Sequence, residues 1–197
     1  DLVRSRGLGD VYKRQGAVYG PQASIAAFAG LRAPMGVLAV LGNHDARRHA
    51  MIDRSEWREL FRRIGVTLLT DQAVRRGPLV VGGLRDIYTD NPDIDRVAQD
   101  MSDMGGAQIV LSHGPDVFPA LPDRSLLALV GHTHCGQVAF PFVGIVYVPS
   151  SFGTRYACGA FREGKKSMIV SAGIGTSGLP IRLLAPPDVW LVTIRPE

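Results

Sequence analysis

The sequence predicts an α/β sandwich, with sheets covered by helices on their outer sides, on three observations. Short apolar runs such as Gly36–Leu41, Gln108–Leu111 and Leu126–Val130 have the length and continuity of buried strands. Amphipathic helices stand between some of them, which gives part of the chain a β-α-β rhythm. Helices also gather early in the chain and strands late.

The elements follow in order. Pro21 opens a helix carrying Ile25, Phe28 and Leu31, and Gly36–Leu41 follows as a strand. Trp57, Leu60, Phe61 and Ile64 recur at i, i+3, i+4 and i+7, with Asp53 and Glu56 as a capping box and Gly65 as the stop. The other face of that helix is basic, with Arg54, Arg58, Arg62 and Arg63. Val66–Thr70 and Leu79–Leu84 read as strands around a polar turn, Asp71–Gly77. A helix is expected over Ile94–Met104, then the strands Gln108–Leu111 and Leu126–Val130 separated by a Pro-rich loop. The tail reads as strand and loop, with strands at Gly144–Val148, Ser167–Ala172 and Val189–Ile194.

Composition narrows the function classes. The 197 residues are 46% hydrophobic with only 2 Cys, which excludes a disordered chain and a disulfide scaffold. No apolar run approaches the roughly 18 residues of a membrane span. A net charge of +4 is too mild to imply a nucleic-acid partner. Asp1–Gln15 has no apolar core of a signal peptide and no periodicity, and is set aside as a non-native leader. Residues 16–197 then form a single domain.

Four of the five histidines directly follow expected strands: Gly42-Asn43-His44-Asp45, Ser112-His113-Gly114-Pro115-Asp116 and Gly131-His132-Thr133-His134. Ligands and catalytic groups converge at strand ends in α/β folds. In an extended segment His132 and His134 share a face and aim at one site. Imidazole is the commonest metal ligand, and the Asn43 carbonyl adds an oxygen suited to Mn, Fe, Zn or Mg. His49 lacks the context and reads as a solvated residue.

These three motifs, in this order, resemble the calcineurin-like metallophosphoesterases. The stretches Gly131–Val138 and Gly173–Arg182 are similar to the bacterial branch of membrane-associated phosphodiesterases and UDP-2,3-diacylglucosamine hydrolases. The resemblance implies an α/β/β/α sandwich, two divalent metal ions, and hydrolysis of phosphodiester or pyrophosphate bonds, on a lipid-linked substrate in some members. Carried over by position, Asn43, His113 and His132 are ligands of the second metal, His134 is a ligand of the first, and His44 is the catalytic imidazole. Asp45 and Asp116 would orient histidines or cap loops, and Arg182 would clamp an anion or serve structurally.

The family's Asp-x-His is missing, because no Asp stands two before any histidine; Gly9-Asp10 lacks the second Asp of Gly-Asp-x-x-Asp and reads as coincidence. The sequence is therefore expected to be an N-terminally truncated domain lacking its first strand and poor as an enzyme. Two alternatives stand beside the hydrolase: a metal-binding module with an incomplete dinuclear site, and a single-zinc hydrolase on His113, His132 and His134. The compartment is cytoplasmic or peripheral to a membrane, the latter on the arginine face with Arg47 and Arg48; no protein partner is evident. Gly173–Gly178 matches Gly-x-Gly-x-x-Gly, but Leu179-Pro180 follows where a dinucleotide site needs a helix. Gly159–Lys166 is no P-loop, since Lys166 stands at the Ser/Thr position. Cys135 is expected to pack as a small residue, and Cys158 has no partner motif.

Overall fold

The computed structural model describes residues 2–5, 25, 28–46 and 54–195. In chain order these hold β1 (Leu2–Ser5), β2 (Val37–Ala39), α1 (Asn43–Ala46), α2 (Arg54–Arg63), β3 (Val66–Leu68), β4 (Gln72–Arg76), β5 (Leu79–Gly83) and α3 (Ile94–Met104). They continue with β6 (Ala107–Leu111), β7 (Leu126–Val130), β8 (Ala139–Phe140), β9 (Gly144–Ile145), β10 (Gly159–Glu163), β11 (Lys166–Val170) and β12 (Trp190–Thr193). Three short 3-10 turns cover Pro115–Ala120, His134–Gly136 and Gly153–Tyr156. No helix among the described residues is long and apolar enough to cross a membrane.

The fold is mixed α/β around a six-stranded sheet of order β10-β11-β7-β6-β5-β4. Its four central strands β5, β6, β7 and β11 are parallel, and β4 and β10 flank them antiparallel. Parallel strands are buried on both faces, which explains their continuous apolar runs. Val80, Val110, Ala128, Val130, Met168 and Val170 point to one face and pack with Val97 and Met101 of α3. Their neighbours Leu79, Val81, Ile109 and Leu129 point to the other and pack with Leu69, Leu38, Val40, Val192 and Ile194. β2 and β3 pair in parallel, and Ala39, Val66 and Leu68 pack with Trp57 and Phe61 of α2.

Three expectations change. The segment between Val66–Thr70 and Leu79–Leu84 is the strand β4, paired with β5 from Gln72↔Gly83 to Arg76↔Leu79, so only Gly77 and Pro78 turn. Its arginines hid it, because an edge strand carries charge on exposed positions. Gly159–Glu163 is also a strand, hairpinned to β11. In the leader, Leu2–Ser5 pairs antiparallel with Trp190–Thr193, although that stretch showed no strand periodicity. Asp10, Pro21, Arg47, Arg48, His49 and Asp53 lie outside the described residues.

Candidate functional site

The C-terminal ends of β2, β5, β6 and β7 supply the candidate site. β6 and β7 run side by side, and just beyond them the Gly131 N–H donates to the His113 carbonyl at 2.9 Å. That bond ties the two histidine loops together. Asn43 arrives at the start of α1, after Gly42, whose absent Cβ would lie 2.7 Å from the His113 ring. Gly114 has a matching role, since a Cβ there would meet the Tyr88 ring at 2.3 Å.

Three side chains converge. His113 Nε2 lies 3.2 Å from Asn43 Oδ1 and 2.9 Å from His132 Nδ1, and all three residues are buried. His132 Nε2–H donates to the Pro149 carbonyl at 3.0 Å, which leaves the Nδ1 lone pair turned toward His113. Tyr88 stacks on the His132 ring at 4.0 Å between centroids. Donors in neighbouring coordination positions around a cation with bonds of about 2.1 Å stand about 3 Å apart. The Asn43–His113–His132 spacings match that figure. One oxygen and two imidazole nitrogens form a donor set for Mn, Fe, Zn or Mg. Among the described residues no group of three or more His, Cys, Asp or Glu could hold a metal ion, so the cluster reaches three donors only through Asn43.

The other expected site residues fall around this cluster. His44 follows Asn43 in α1 and is half-buried. The Asp45 carboxylate accepts the Gly42 N–H at 3.1 Å and so closes the turn carrying Asn43. Asp116 accepts from the Ser150 hydroxyl at 2.6 Å and the Ser151 N–H at 2.8 Å, holding the segment beside Pro149. His132 and His134 do not lie in an extended segment. His132, His134, Cys135 and Gln137 all have positive φ (71°, 51°, 53° and 56°), a strained run that persists only where the surroundings fix it. Thr133 Oγ1 fixes it by donating to the Ala157 carbonyl at 2.7 Å, and Gln137 Nε2 by donating to Ser177 and Leu179 carbonyls.

Arg182 is surrounded by backbone carbonyls. Its guanidinium donates to the carbonyls of His134, Ala172, Gly173, Gly175 and Ala185, and NH2 stands 3.4 Å from His134 Nδ1. Burial pushes its pKa down from the usual arginine value. Cys135 packs against Ala172 and Ala185 as expected of a small residue, yet it also has a partner: it is disulfide-bonded to Cys158. The arginine face of α2 is laced with acceptors, Arg54 on Asp90, Arg58 on Thr70, and Arg62 with Arg63 on Glu59.

Two site residues were missed. Burial first, then the Asp116 carboxylate, push the Tyr88 phenol well above its ordinary pKa. Asp86 is buried, accepts from the Tyr88 N–H at 3.1 Å and the Thr89 hydroxyl at 2.7 Å, and leaves Oδ1 without a partner. Both follow β5, so the strand-end criterion used for the histidines would have pointed to them had it included carboxylates and phenols. Burial, opposed by the hydrogen bonds from Thr89 and Tyr88, raises the Asp86 pKa above the usual carboxylate value. A carboxyl raised on folding binds its proton more tightly in the native state. Stability from this group is therefore greatest below the unfolded pKa of about 3.9 and falls as pH rises toward the folded value. Asp86→Asn is expected to gain on the wild type as pH rises above about 4 in urea unfolding. A difference that shrinks as pH rises would contradict the burial account.

Fold and site together define an α/β protein whose strand ends gather a buried asparagine–histidine cluster. Similarity to known proteins gives that class a family. No family model matches the chain, and no solved structure is similar to it. It is 30% identical over 193 residues to an uncharacterized metallophosphoesterase, YkuE, of Bacillus subtilis, covering 95% of this chain and 66% of that protein. It is 34% identical over 177 residues to an uncharacterized metallophosphoesterase of Aquifex aeolicus, covering 85% and 64%. It is also 33% identical over 88 residues to the phosphodiesterase YaeI of Escherichia coli, covering 44% and 32%. The chain thus spans just under two thirds of the length of the first two. Homologues named metallophosphoesterase support that family for this chain.

Proposed function

We propose that the chain is a divalent-cation-dependent hydrolase of phosphate esters, acting on phosphodiester or pyrophosphate bonds. The observation that carries this is the trio of donors Asn43 Oδ1, His113 Nε2 and His132 Nδ1, spaced 2.9–3.2 Å along the chain of contacts. These residues would hold a cation, which supplies charge for the phosphoryl oxygens and acidifies a water. His132 presents its Nδ1 lone pair because Pro149 occupies the proton on Nε2. Tyr88 keeps that ring in plane and screens it from water. His44, next to Asn43, is assigned to holding a proton for the leaving oxygen. His134 is assigned to the other cation, the first metal of the family pair, where it would act beside Arg182. The first-cation Asp-x-His and the bridging carboxylate have no counterpart in this sequence.

The packing supports the four-layer α/β/β/α order: α3 on one sheet face, the β2–β3 layer on the other, and α2 beyond it. An apolar rim of exposed Phe140, Phe142, Val143, Leu179 and Ile181 adjoins Gln137 and Arg182, and supports a lipid-linked substrate or contact with a membrane surface.

The experiment is Mn²⁺ titration of the purified chain alongside hydrolysis of bis-p-nitrophenyl phosphate. Saturable binding with Mn²⁺-dependent hydrolysis, lost on chelation, is expected. A second reading, a metal-binding module, rests on the three-donor cluster, and binding without turnover would select it. Absence of binding would remove both.

A further inference from the structure

The Cys135–Cys158 disulfide joins residues 23 positions apart, with Cα atoms 4.7 Å from each other. The loop it closes returns three contacts to the candidate site. The Pro149 carbonyl takes the His132 Nε2–H, and Ser150 and Ser151 donate to Asp116. Its two ends are held by the Gln137 and Ala139 bonds to Ser177, Leu179 and Leu183 and by Tyr156 in the core, whereas its middle is lightly fastened. Its strands β8 and β9 are two residues each, and Phe142, Val143, Val146 and Tyr147 are exposed, Phe142 fully at 108%. A stretch like 140–147, with so little buried apolar surface, belongs to the low-stability end of a fold. A covalent tie at its base removes the open conformations that would otherwise compete.

We propose that this disulfide is a positioning clamp for His132 and Asp116, and that a small thiol which opens it loosens the cation site; the second clause rests on the cation-dependent function proposed above. Cys158 is exposed and Cys135 is buried, so the thiolate attacks Sγ of Cys158. The S–S bond breaks, a mixed disulfide forms on Cys158, and Cys135 leaves as a thiolate that takes a proton. A second thiol attacks the external sulfur and frees Cys158. Two small thiols are thereby oxidised to one external disulfide and the protein gains two thiols. Opening removes the restraint on Pro149, so His132 loses the acceptor that fixes its tautomer, an orienting contact whose loss typically weakens metal binding 10- to 100-fold.

The test uses the purified chain. Thiol counting in denaturant is expected to find none before reduction and two after. Hydrogen exchange across residues 145–152 and Mn²⁺ affinity are then compared for the oxidised chain, for the chain reduced with dithiothreitol and freed of it, and for Cys158→Ser. Reduction and substitution are each expected to speed exchange and to weaken Mn²⁺ at least fivefold, with no further response of Cys158→Ser to thiol. Two free thiols in the unreduced chain, or unchanged exchange on opening, would overturn the clamp. Unchanged Mn²⁺ affinity alongside faster exchange would overturn its coupling to the cation. If exchange responds while no Mn²⁺ binds in either state, the clamp holds and the cation-dependent function fails.

Discussion

His132→Ala is expected to lose both cation and turnover, whereas His44→Asn loses turnover and keeps its cation. His132 contributes one donor of the cluster, the Tyr88 stacking partner and the bond to Pro149, so alanine dismantles three contacts together. Its Mn²⁺ affinity is expected to fall by more than the roughly 10- to 100-fold that follows loss of a mere orienting partner. His44 is assigned to proton transfer, a role worth about 10²–10⁴-fold in rate. Metal analysis of both variants beside diester hydrolysis separates the two roles. If His44→Asn lost metal as completely as His132→Ala, the division of labour would be wrong.

The largest expected loss of stability lies far from the cluster, at Lys166. This residue is only 6% exposed, and its Nζ donates to the carbonyls of Phe118, Pro119 and Leu121 at 2.8, 3.2 and 2.6 Å. The ammonium also sits 5.1 Å from the Phe118 ring centroid. It therefore caps the end of the Pro115–Ala120 turn, where the Phe118 carbonyl already accepts the Leu121 N–H at 3.2 Å while the Pro119 and Leu121 carbonyls lie past the last turn bond. Lys166→Met keeps the apolar stem but strands the Pro119 and Leu121 carbonyls and takes the second donor from Phe118, at about 1–3 kcal/mol for each buried group left unpaired. Costs within one cluster are not additive, so a loss of about 3–5 kcal/mol is expected. For a chain of this size that lowers Tm by roughly 6–20 °C. A shift below about 2 °C in thermal denaturation would show the ammonium to be replaceable.

What was legible in the sequence is what local pattern controls. Helix α3 spans Ile94–Met104 as read, and the buried strands β5, β6 and β7 fall where continuous apolar runs place them. Strand β4 was illegible because Ala73 and Val74 lie between Gln72 and the pair Arg75-Arg76, polar residues that an edge position tolerates. Strand β1 owes its existence to β12, nearly two hundred positions away, and no local period announces such a pairing. Within the candidate site, the strand-end rule singled out Asn43, His113 and His132, which the structure brings into contact. It misjudged His132-Thr133-His134, because the left-handed backbone there is fixed by Ala157, Ser177, Leu179 and Arg182 from elsewhere in the chain. The role of Arg182 was undecidable for the same reason: only packing reveals how many carbonyls surround a guanidinium. The disulfide depends on two cysteines being brought together by folding, which spacing alone does not encode.

The parallel order of β5, β6, β7 and β11 also governs when the cluster can come into being. Parallel neighbours cannot be joined by a tight turn, so each pairing closes a long loop and loses chain entropy before any contact offsets it. β7 meets β11 forty positions later, from Leu126↔Lys166 to Val130↔Val170. Tyr88, His113, His132 and Pro149 ride on separate loops of that sheet, Asn43 follows β2 of the other layer, and no two of the donors are neighbours in sequence. Topologies rich in such distant pairings fold slowly. The Asn43–His113–His132 cluster therefore depends on several distant pairings being in place together before its side chains can meet.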